Sequence, residues 1–209
     1  NFYYCFTNYM FNHLIFDLDN TLYNYSLCNK NALLTVFEYI SHNFNIQLEK
    51  IKTLFDKLKN KYHNTVFHQA SSHNKCIQIK KLLEYLNLPI EESCTLYDLY
   101  IEEFNKHLTL FENVEDFFIL CQKNNITCYI LTNNICYEQI NRLKKLNICK
   151  YFKKIYTSEE FGIEKPDSKL FYSILQENNI NMNEVAMIGD SFENDIQSVN
   201  LLGMYGFWF

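Results

Sequence analysis

The chain of 209 residues is long enough for one large domain or for a core domain with a smaller one, and its 48% of hydrophobic residues suffices to bury a core. Its formal net charge of −5 argues against a nucleic-acid-binding protein, because such proteins usually present a basic face. No apolar stretch approaches the roughly 20 residues that cross a bilayer, so we expect no membrane partner.

The first predicted element is a β-strand over residues 13–17, which contains the apolar run Leu14-Ile15-Phe16. Asp17 then lies at the end of this strand, and Asp19, two residues on, can face the same way. Two carboxylates at one strand end repel each other unless a cation, a hydrogen-bond network or a reaction uses them. The alternative is a plain turn, since Asp-Asn-Thr is favourable turn sequence.

Residues 29–108 follow as an all-helical block. Apolar residues recur there at helical spacing in four groups, and Pro89 separates the third group from the fourth. From residue 113 onward the pattern changes to helices that alternate with short apolar strands. It predicts helices over 114–123, 136–146, 167–178 and 194–202, and strands over 126–131, 154–157, 184–188 and 204–208.

This alternation indicates parallel strands with helical crossovers, and therefore an α/β fold with a three-layer, Rossmann-like parallel sheet as its core. The first strand joins the sheet across the helical block. We therefore predict an α/β core domain of residues 1–24 and 109–209, with an all-helical domain of residues 25–108 inserted into it.

Polar residues collect directly after the predicted strands, where ligands of parallel sheets bind. They are Thr132 and Asn133 after strand 126–131, Lys165 in a Glu-Lys-Pro-Asp segment, and Asp190 and Asp195 after strand 184–188. Each alone has an ordinary explanation as a helix cap or a solvated surface residue. Because all of them fall at one edge of one sheet, together with the two acids of the first strand, we interpret them as an active site.

These positions resemble the four motifs of the haloacid dehalogenase (HAD) superfamily, in order and at fitting separations. The matching segments are Asp17-x-Asp19-x-Thr21, Thr132 at a strand end, Lys165, and Gly189-Asp190-x-x-x-x-Asp195. The helical insertion resembles the C1-type cap of the subfamily that contains phosphoglycolate phosphatases, β-phosphoglucomutases, nucleotidases and true dehalogenases.

The chemistry of phosphate esters gives these residues their roles. A phosphate monoester repels nucleophiles, so its hydrolysis needs a metal, a cation, positioned donors and an in-line nucleophile. Asp17 can attack phosphorus to give an aspartyl-phosphate. Thr132 and Lys165 are expected to bind the phosphoryl group, and Asn133 is a further candidate for that role.

Mg²⁺ prefers oxygen ligands, which Asp17 and Asp190 can supply and, by resemblance, the backbone carbonyl of Asp19. Asp19 can protonate the leaving oxygen and then deprotonate the attacking water. Its presence favours phosphoryl over halide chemistry, since a halide leaving group needs no proton. Asp195 is expected to orient a metal-bound water or Lys165.

We therefore predict a Mg²⁺-dependent phosphatase of a small soluble phosphomonoester, such as a nucleotide, a sugar phosphate or phosphoglycolate, acting as a monomer or homodimer. A phosphomutase resembling β-phosphoglucomutase and a non-catalytic binding module on the same fold remain as alternatives, and a dehalogenase ranks last. Candidates for reading the substrate lie in the helical block: His63, His68, Lys75, Gln78, Lys80 and Lys81. Gln78 stands where some cap-bearing nucleotidases carry Arg, which weakens that assignment.

Eight cysteines occur without any C-x-x-C pair, and several lie inside apolar runs. They are better explained as free thiols in a reducing compartment than as disulfides or a zinc site. Residues 1–11 also lack the basic start of a signal peptide, so we expect a cytoplasmic protein.

Overall fold

The computed structural model describes residues 11–66 and 69–209. Their contacts divide the chain into two compact units, one that joins the residues up to Asn24 with Thr109–Phe209, and one that comprises Tyr25–Leu108. The strands found in the described ranges all belong to the first unit. His68, a predicted candidate for reading the substrate, lies outside the described residues.

The first unit is built around a parallel sheet. Its strands are β1 (His13–Phe16), β2 (Thr127–Thr132), β3 (Phe152–Thr157), β4 (Val185–Gly189) and β5 (Tyr205–Trp208). They lie in the order β3-β2-β1-β4-β5, and β1 pairs in parallel with both β2 and β4. The first strand of the chain is therefore central, and the carboxyl ends of β1, β2 and β4 meet at one edge of the sheet.

The helices fall into both units. Those of the second unit are α1 (Tyr25–Phe44), α2 (Leu48–Thr65), α3 (Lys75–Leu86) and α4 (Glu92–Lys106). Those of the first unit are α5 (Val114–Lys123), α6 (Cys136–Lys145), α7 (Ser158–Phe161), α8 (Ser168–Asn178) and α9 (Ser198–Leu201). Short 3₁₀ turns occur at Ala70–His73, Cys149–Tyr151 and Met182–Glu184, and a π-helix at Phe192–Gln197.

Both faces of the sheet are covered by helices. Ile15 and Met187 belong to a buried cluster on one face that includes Leu170 of α8. Phe16 lies on the opposite face, because successive strand residues alternate, and its ring meets Phe118 of α5 edge to face at 5.2 Å between centroids. Burial of each such side chain stabilises the folded state by about 1.5–3 kcal/mol. The arrangement confirms the predicted three-layer α/β fold.

The second unit has an apolar core of its own. Phe37 of α1 and Phe55 of α2 meet at 5.1 Å between ring centroids. Tyr100 of α4 is fully buried, and its hydroxyl donates to Asn29 Oδ1 of α1 at 2.8 Å. The four helices expected from the four apolar groups of residues 29–108 are all present.

Two predicted elements differ from the structure. The predicted helix 194–202 is instead a π-helix followed by the short α9, because the wider backbone turn leaves no trace in the apolar spacing. The predicted strand 154–157 begins earlier, at Phe152. Lys153 and Lys154 interrupt the apolar pattern there, but Phe152 already pairs with Cys128 of β2.

The seven cysteines within the described ranges carry free thiols. Three of them are buried, namely Cys28, Cys121 and Cys128, and two are exposed, namely Cys94 and Cys149. None of the described helices combines the length and the apolar character that a membrane span requires.

Candidate active site

Asp17 is the first residue beyond β1 and is almost completely buried. Its backbone N–H donates to Ile188 O at 2.9 Å, which extends the pairing with β4 and fixes the start of the side chain. Asn20 then adopts φ 64°, a left-handed conformation that asparagine tolerates better than most residues. The resulting turn brings Thr21 back over Asp17, where Thr21 Oγ1 donates to Asp17 Oδ2 at 3.1 Å.

Thr21 also joins the end of β1 to the end of β4. The Asp190 backbone N–H donates to Thr21 Oγ1 at 3.1 Å, and the same hydroxyl lies 3.5 Å from Asp190 Oδ1. The carboxylates of Asp17 and Asp190 therefore flank one small side chain. Thr21 belongs to the first segment that resembles a HAD motif, but the sequence alone indicates no such role for it.

Asp195 packs against β4 at a position that only glycine permits. A Cβ atom on Gly189 would collide with the Asp195 carboxylate. Asp195 sits on the π-helix, where its Oδ2 accepts from the Ser191 backbone N–H at 3.1 Å. A π-helical turn is a rare feature that is found frequently at functional sites, and here it directs a buried carboxylate toward the neighbouring Lys165.

Lys165 is a buried cation between two acids. Its Nζ donates to Asp17 Oδ1 at 2.7 Å and to Asp195 Oδ1 at 2.6 Å. The loop that carries it is held by Asn133, whose Oδ1 accepts from Lys165 N and whose Nδ2 donates to Lys165 O, each at 2.8 Å. Asn133 thus fixes the backbone of the lysine, and its direct contact with phosphate stays a prediction.

The electrostatics of this cluster are dominated by burial. Burial raises the pKa of Asp17 to about 7, with a further increase from Asp195, against the opposing effect of Lys165. Burial also raises the pKa of Asp190. For the Lys165 ammonium, burial acts to lower the pKa, but the adjacent carboxylates of Asp17 and Asp195 outweigh it and raise the pKa. Lys165 is therefore fully charged at neutral pH.

Three carboxylates can face a cation at this edge of the sheet. One oxygen from each of Asp17, Asp190 and Asp195 lies within 4.8 Å of the other two. With the Lys165 ammonium counted, the cluster has an excess of two negative charges when all the carboxylates are ionised. A divalent cation with oxygen ligands would balance that excess.

Asp19 lies beside this cluster in a separate hydrogen-bond network. Its carboxylate accepts from the hydroxyl of Tyr23, from Asn134 Nδ2 and Gln139 Nε2 at 3.1 Å each, and from Arg142 Nη1 at 3.1 and 3.2 Å. Sequence reasoning missed Asn134, Gln139 and Arg142. Their positions in the sequence carry no specific signal, because Gln139 and Arg142 fit the polar side of an ordinary surface helix.

Thr132 ends β2 as predicted and is buried. Its Oγ1 accepts a hydrogen bond from Gln139 Nε2 at 2.7 Å. Because that bond uses a lone pair of the oxygen, the hydroxyl hydrogen is left as the donor that Thr132 can offer to a phosphoryl oxygen.

The predicted substrate-reading residues belong to the helical unit. Lys75 and Gln78 are buried there, and Gln78 Nε2 donates to Ser72 O at 2.7 Å. The other described candidates contact neighbours on the same unit: Lys80 pairs with Glu84, Lys81 lies over the Tyr62 ring, and the rings of His63 and His73 are adjacent.

Comparison with known proteins places these residues in a family context. The family model described as haloacid dehalogenase-like hydrolase matches residues 14–207. A ribulose-1,5-bisphosphate 5-phosphatase of Halopiger xanaduensis is 27% identical over 194 residues, which cover 91% of this chain and 81% of that protein. The human N-acylneuraminate-9-phosphatase is 25% identical over 195 residues, which cover 88% of this chain and 76% of that protein.

A similar architecture occurs among solved structures. The magnesium-bound HAD-hydrolase YfnB of Bacillus subtilis superposes with a TM-score of 0.74 at 22% sequence identity, covering 95% of this chain and 88% of that one. At this level of identity the likeness concerns the fold.

Proposed function

The chain belongs to the haloacid dehalogenase-like hydrolases, and we propose that it is a Mg²⁺-dependent phosphatase of a small soluble phosphomonoester, acting through an aspartyl-phosphate on Asp17. The observation that carries the proposal is the buried pair of Asp17 and Lys165, joined at 2.7 Å beside Asp190. Two similar proteins are named as phosphatases of phosphorylated small molecules, which supports this choice within the family.

Asp17 is the proposed nucleophile. Its Oδ2 accepts a hydrogen bond from the hydroxyl of Thr21, which also lies near Asp190. Its Oδ1 accepts a hydrogen bond from Lys165. We assign Oδ1 to the attack on phosphorus, which forms the O–P bond of the aspartyl-phosphate and breaks the ester bond. Lys165 stabilises the charge on the transferring group, and Thr132 donates its hydroxyl to a phosphoryl oxygen.

The donor set fits Mg²⁺, since hard carboxylate oxygens are its preferred ligands. Asp17 and Asp190 would hold the ion, with the backbone carbonyl of Asp19 as a third ligand. Asp195 completes the acidic trio, but its two oxygens already accept from Lys165 and from Ser191 N, so we assign it to the orientation of Lys165. When bound, the ion neutralises the phosphate charge that repels a nucleophile.

Asp19 is the proposed general acid and base. In the first step it gives its proton to the leaving oxygen of the ester, which departs as an alcohol. In the second step it takes a proton from water, which attacks phosphorus, releases inorganic phosphate and regenerates the carboxylate of Asp17. A residue with this role is needed for an alkoxide leaving group and not for a halide.

The substrate is proposed to be a phosphorylated small molecule, such as a sugar phosphate or a nucleotide, with the helical unit as the cap that reads its leaving group. The candidates for this role remain His63, His68, Lys75, Gln78, Lys80 and Lys81. The free thiols of the described cysteines suit the cytoplasmic location that we propose.

The test is Mg²⁺-dependent release of phosphate from p-nitrophenyl phosphate by the wild type, by Asp17→Asn and by a control variant, Asp116→Asn, at an exposed position of α5. We expect turnover by the wild type and by the control, and none by Asp17→Asn. A wild type that is inert with Mg²⁺ on a wide panel of phosphate esters overturns the proposal. Conversion of a sugar phosphate to its isomer without phosphate release would instead identify a phosphomutase.

A further inference from the structure

Asp19 is fixed by donors from one short segment of the chain. Asn134, Gln139 and Arg142 all reach its Oδ2 at 3.1 Å, and Arg142 Nη1 lies 3.2 Å from Oδ1 as well. The segment begins directly after the strand that ends at Thr132, and it reaches Asp19 across more than a hundred residues of sequence. Helix α6 is thereby tied to the end of β1.

The side chain of Arg142 is also oriented by hydrogen bonds within its own helix. Only 3% of its surface is exposed, its Nη2 donates to Glu138 Oε2 at 2.7 Å, and its Nη1 donates to Gln139 Oε1 at 2.9 Å. These partners lie four and three residues earlier on α6, on the same helix face. The planar guanidinium is therefore oriented by its own helix, which lowers the entropy lost when it contacts Asp19.

Gln139 connects two residues of the proposed reaction. Its Nε2 donates to Asp19 Oδ2 at 3.1 Å and to Thr132 Oγ1 at 2.7 Å. An amide nitrogen carries two hydrogens, so one can serve each acceptor. The side chain that is proposed to move a proton and the one that is proposed to bind a phosphoryl oxygen are thus kept at a fixed separation.

We infer that Gln139 and Arg142 are positioning residues for proton transfer by Asp19. The inference rests on the proposed phosphatase function. A general acid acts only within hydrogen-bond reach of the leaving oxygen, and small displacements of a catalytic group are costly. With both α6 donors removed, Asp19 keeps the Tyr23 and Asn134 contacts but loses the bonds that bind it to α6 and, through Gln139, to Thr132.

A buried ion pair can also serve stability alone, and the two roles differ in one measurable respect. A good leaving group such as p-nitrophenolate departs with little help from an acid, whereas phenolate, being more basic, depends on it. The ratio kcat/KM covers the steps up to departure of the leaving group. A positioning role for Asp19 therefore predicts a loss that is larger for phenyl phosphate than for p-nitrophenyl phosphate, while a general loss of folded enzyme lowers both equally.

The experiment uses Gln139→Met, Arg142→Lys and the charge-balanced double variant Arg142→Met/Glu138→Gln, which removes the cation together with the negative charge of its partner Glu138. Lys144→Met, at an exposed position of the same helix, is the control. Folding is checked by circular dichroism, and kcat/KM is measured for both aryl phosphates with Mg²⁺. We expect Gln139→Met and the double variant to lose about tenfold or more on phenyl phosphate and less than about threefold on p-nitrophenyl phosphate.

Arg142→Lys, which retains the charge but not the planar fork, is expected between wild type and the double variant, and Lys144→Met should match the wild type. Equal losses on the two substrates, or no loss in either folded variant, overturn the inference while leaving an active wild type and thus the phosphatase proposal intact. A wild type that turns over neither ester overturns both. If the double variant does not fold, Gln139→Met alone decides between the two outcomes.

Discussion

The ammonium of Lys165 donates to Asp17 at 2.7 Å although 148 residues separate them in the chain. Both side chains are buried, so neither charge is solvated well, and each depends on the other for compensation. Asp195, at 2.6 Å from the same ammonium, adds a second carboxylate. The lysine therefore holds together the proposed nucleophile and a second buried acid, whose carboxylates would otherwise repel each other.

Lys165→Met should destabilise the protein as well as abolish turnover. Removal of the cation leaves Asp17 and Asp195 buried without their shared partner, and breaking a buried pair in this way costs about 3–5 kcal/mol. Urea unfolding in the absence of Mg²⁺ measures the loss. Lys169→Met, at an exposed position on α8, is the control and should change the free energy of unfolding little.

A second variant separates charge from packing at this position. Lys165→Met/Asp195→Asn removes one of the two carboxylates together with the cation, so it should be more stable than Lys165→Met alone. If the double variant is no more stable than the single one, then lost contacts of the lysine stem, and not unpaired charge, account for the destabilisation.

Gly189→Ala should disturb the active site from inside the sheet. The added Cβ collides with the carboxylate of Asp195, which would have to move away from β4 and from Lys165. We expect a destabilisation of about 3 kcal/mol and a strong fall in kcat. The control is Gly203→Ala, where φ is +83° and the Cβ would meet open space.

Gly203→Ala should cost about 1–2 kcal/mol through its left-handed backbone alone, with kcat unchanged. The comparison requires thermal unfolding and phosphate release for both variants. Equal kcat values in the two variants would show that Asp195 tolerates displacement, and would contradict the role given to its contact with β4.

The sequence predicted those features that depend on local pattern and on topology. An apolar run followed by Asp17 indicates a strand end, and polar residues after the later strands, such as Thr132 and Asp190, must share an edge with it in a parallel sheet. The sheet order, with β1 between β2 and β4, brings these three residues to that edge. These three residues could therefore be predicted without knowledge of any long-range side-chain contact.

The positions that were missed depend on such partners. In the sequence, Gln139 and Arg142 fit the pattern of the solvated side of a helix. Nothing in the spacing of residues along α6 distinguishes a buried polar face from a solvated one. For Asn133, whose contact with phosphate stays a prediction, nothing in the sequence indicates that its side chain binds the backbone of Lys165. That contact follows from the path of a loop, which side-chain pattern does not encode.

Thr21→Val should reduce the free energy of Mg²⁺ binding more than it reduces the free energy of unfolding. The valine has nearly the same shape but cannot donate to Asp17 Oδ2 or accept from Asp190 N, the two bonds that Thr21 makes at 3.1 Å each. Loss of a side chain that orients metal ligands typically reduces affinity about 10–100-fold. Isothermal titration of the protein with Mg²⁺ measures the change, and Thr21→Ser, which keeps the hydroxyl, should restore most of it. An unchanged affinity in Thr21→Val would separate Thr21 from the proposed metal site.

The raised pKa of Asp17 predicts how the metal-free protein responds to pH. In the folded protein the pKa is about 7, against an ordinary value of 3.8, so between these values the folded state binds a proton that the unfolded state has released. Stability contributed by this proton is fully present below pH 3.8 and is lost as pH rises through about 7. The free energy of unfolding should therefore fall by about 1 kcal/mol per pH unit across the interval relative to Asp17→Asn, which has no proton to lose.

The measurement is urea unfolding of both proteins in EDTA at several pH values from acid to neutral, with the difference between them plotted against pH. Because other carboxylates, including Asp190, titrate in both proteins, the difference isolates Asp17. Excess Mg²⁺ should flatten the slope, since the cation takes the place of the proton on the carboxylate. A difference that does not vary with pH, or one that grows in favour of the wild type as pH rises, would show that Lys165 outweighs burial and keeps Asp17 ionised throughout.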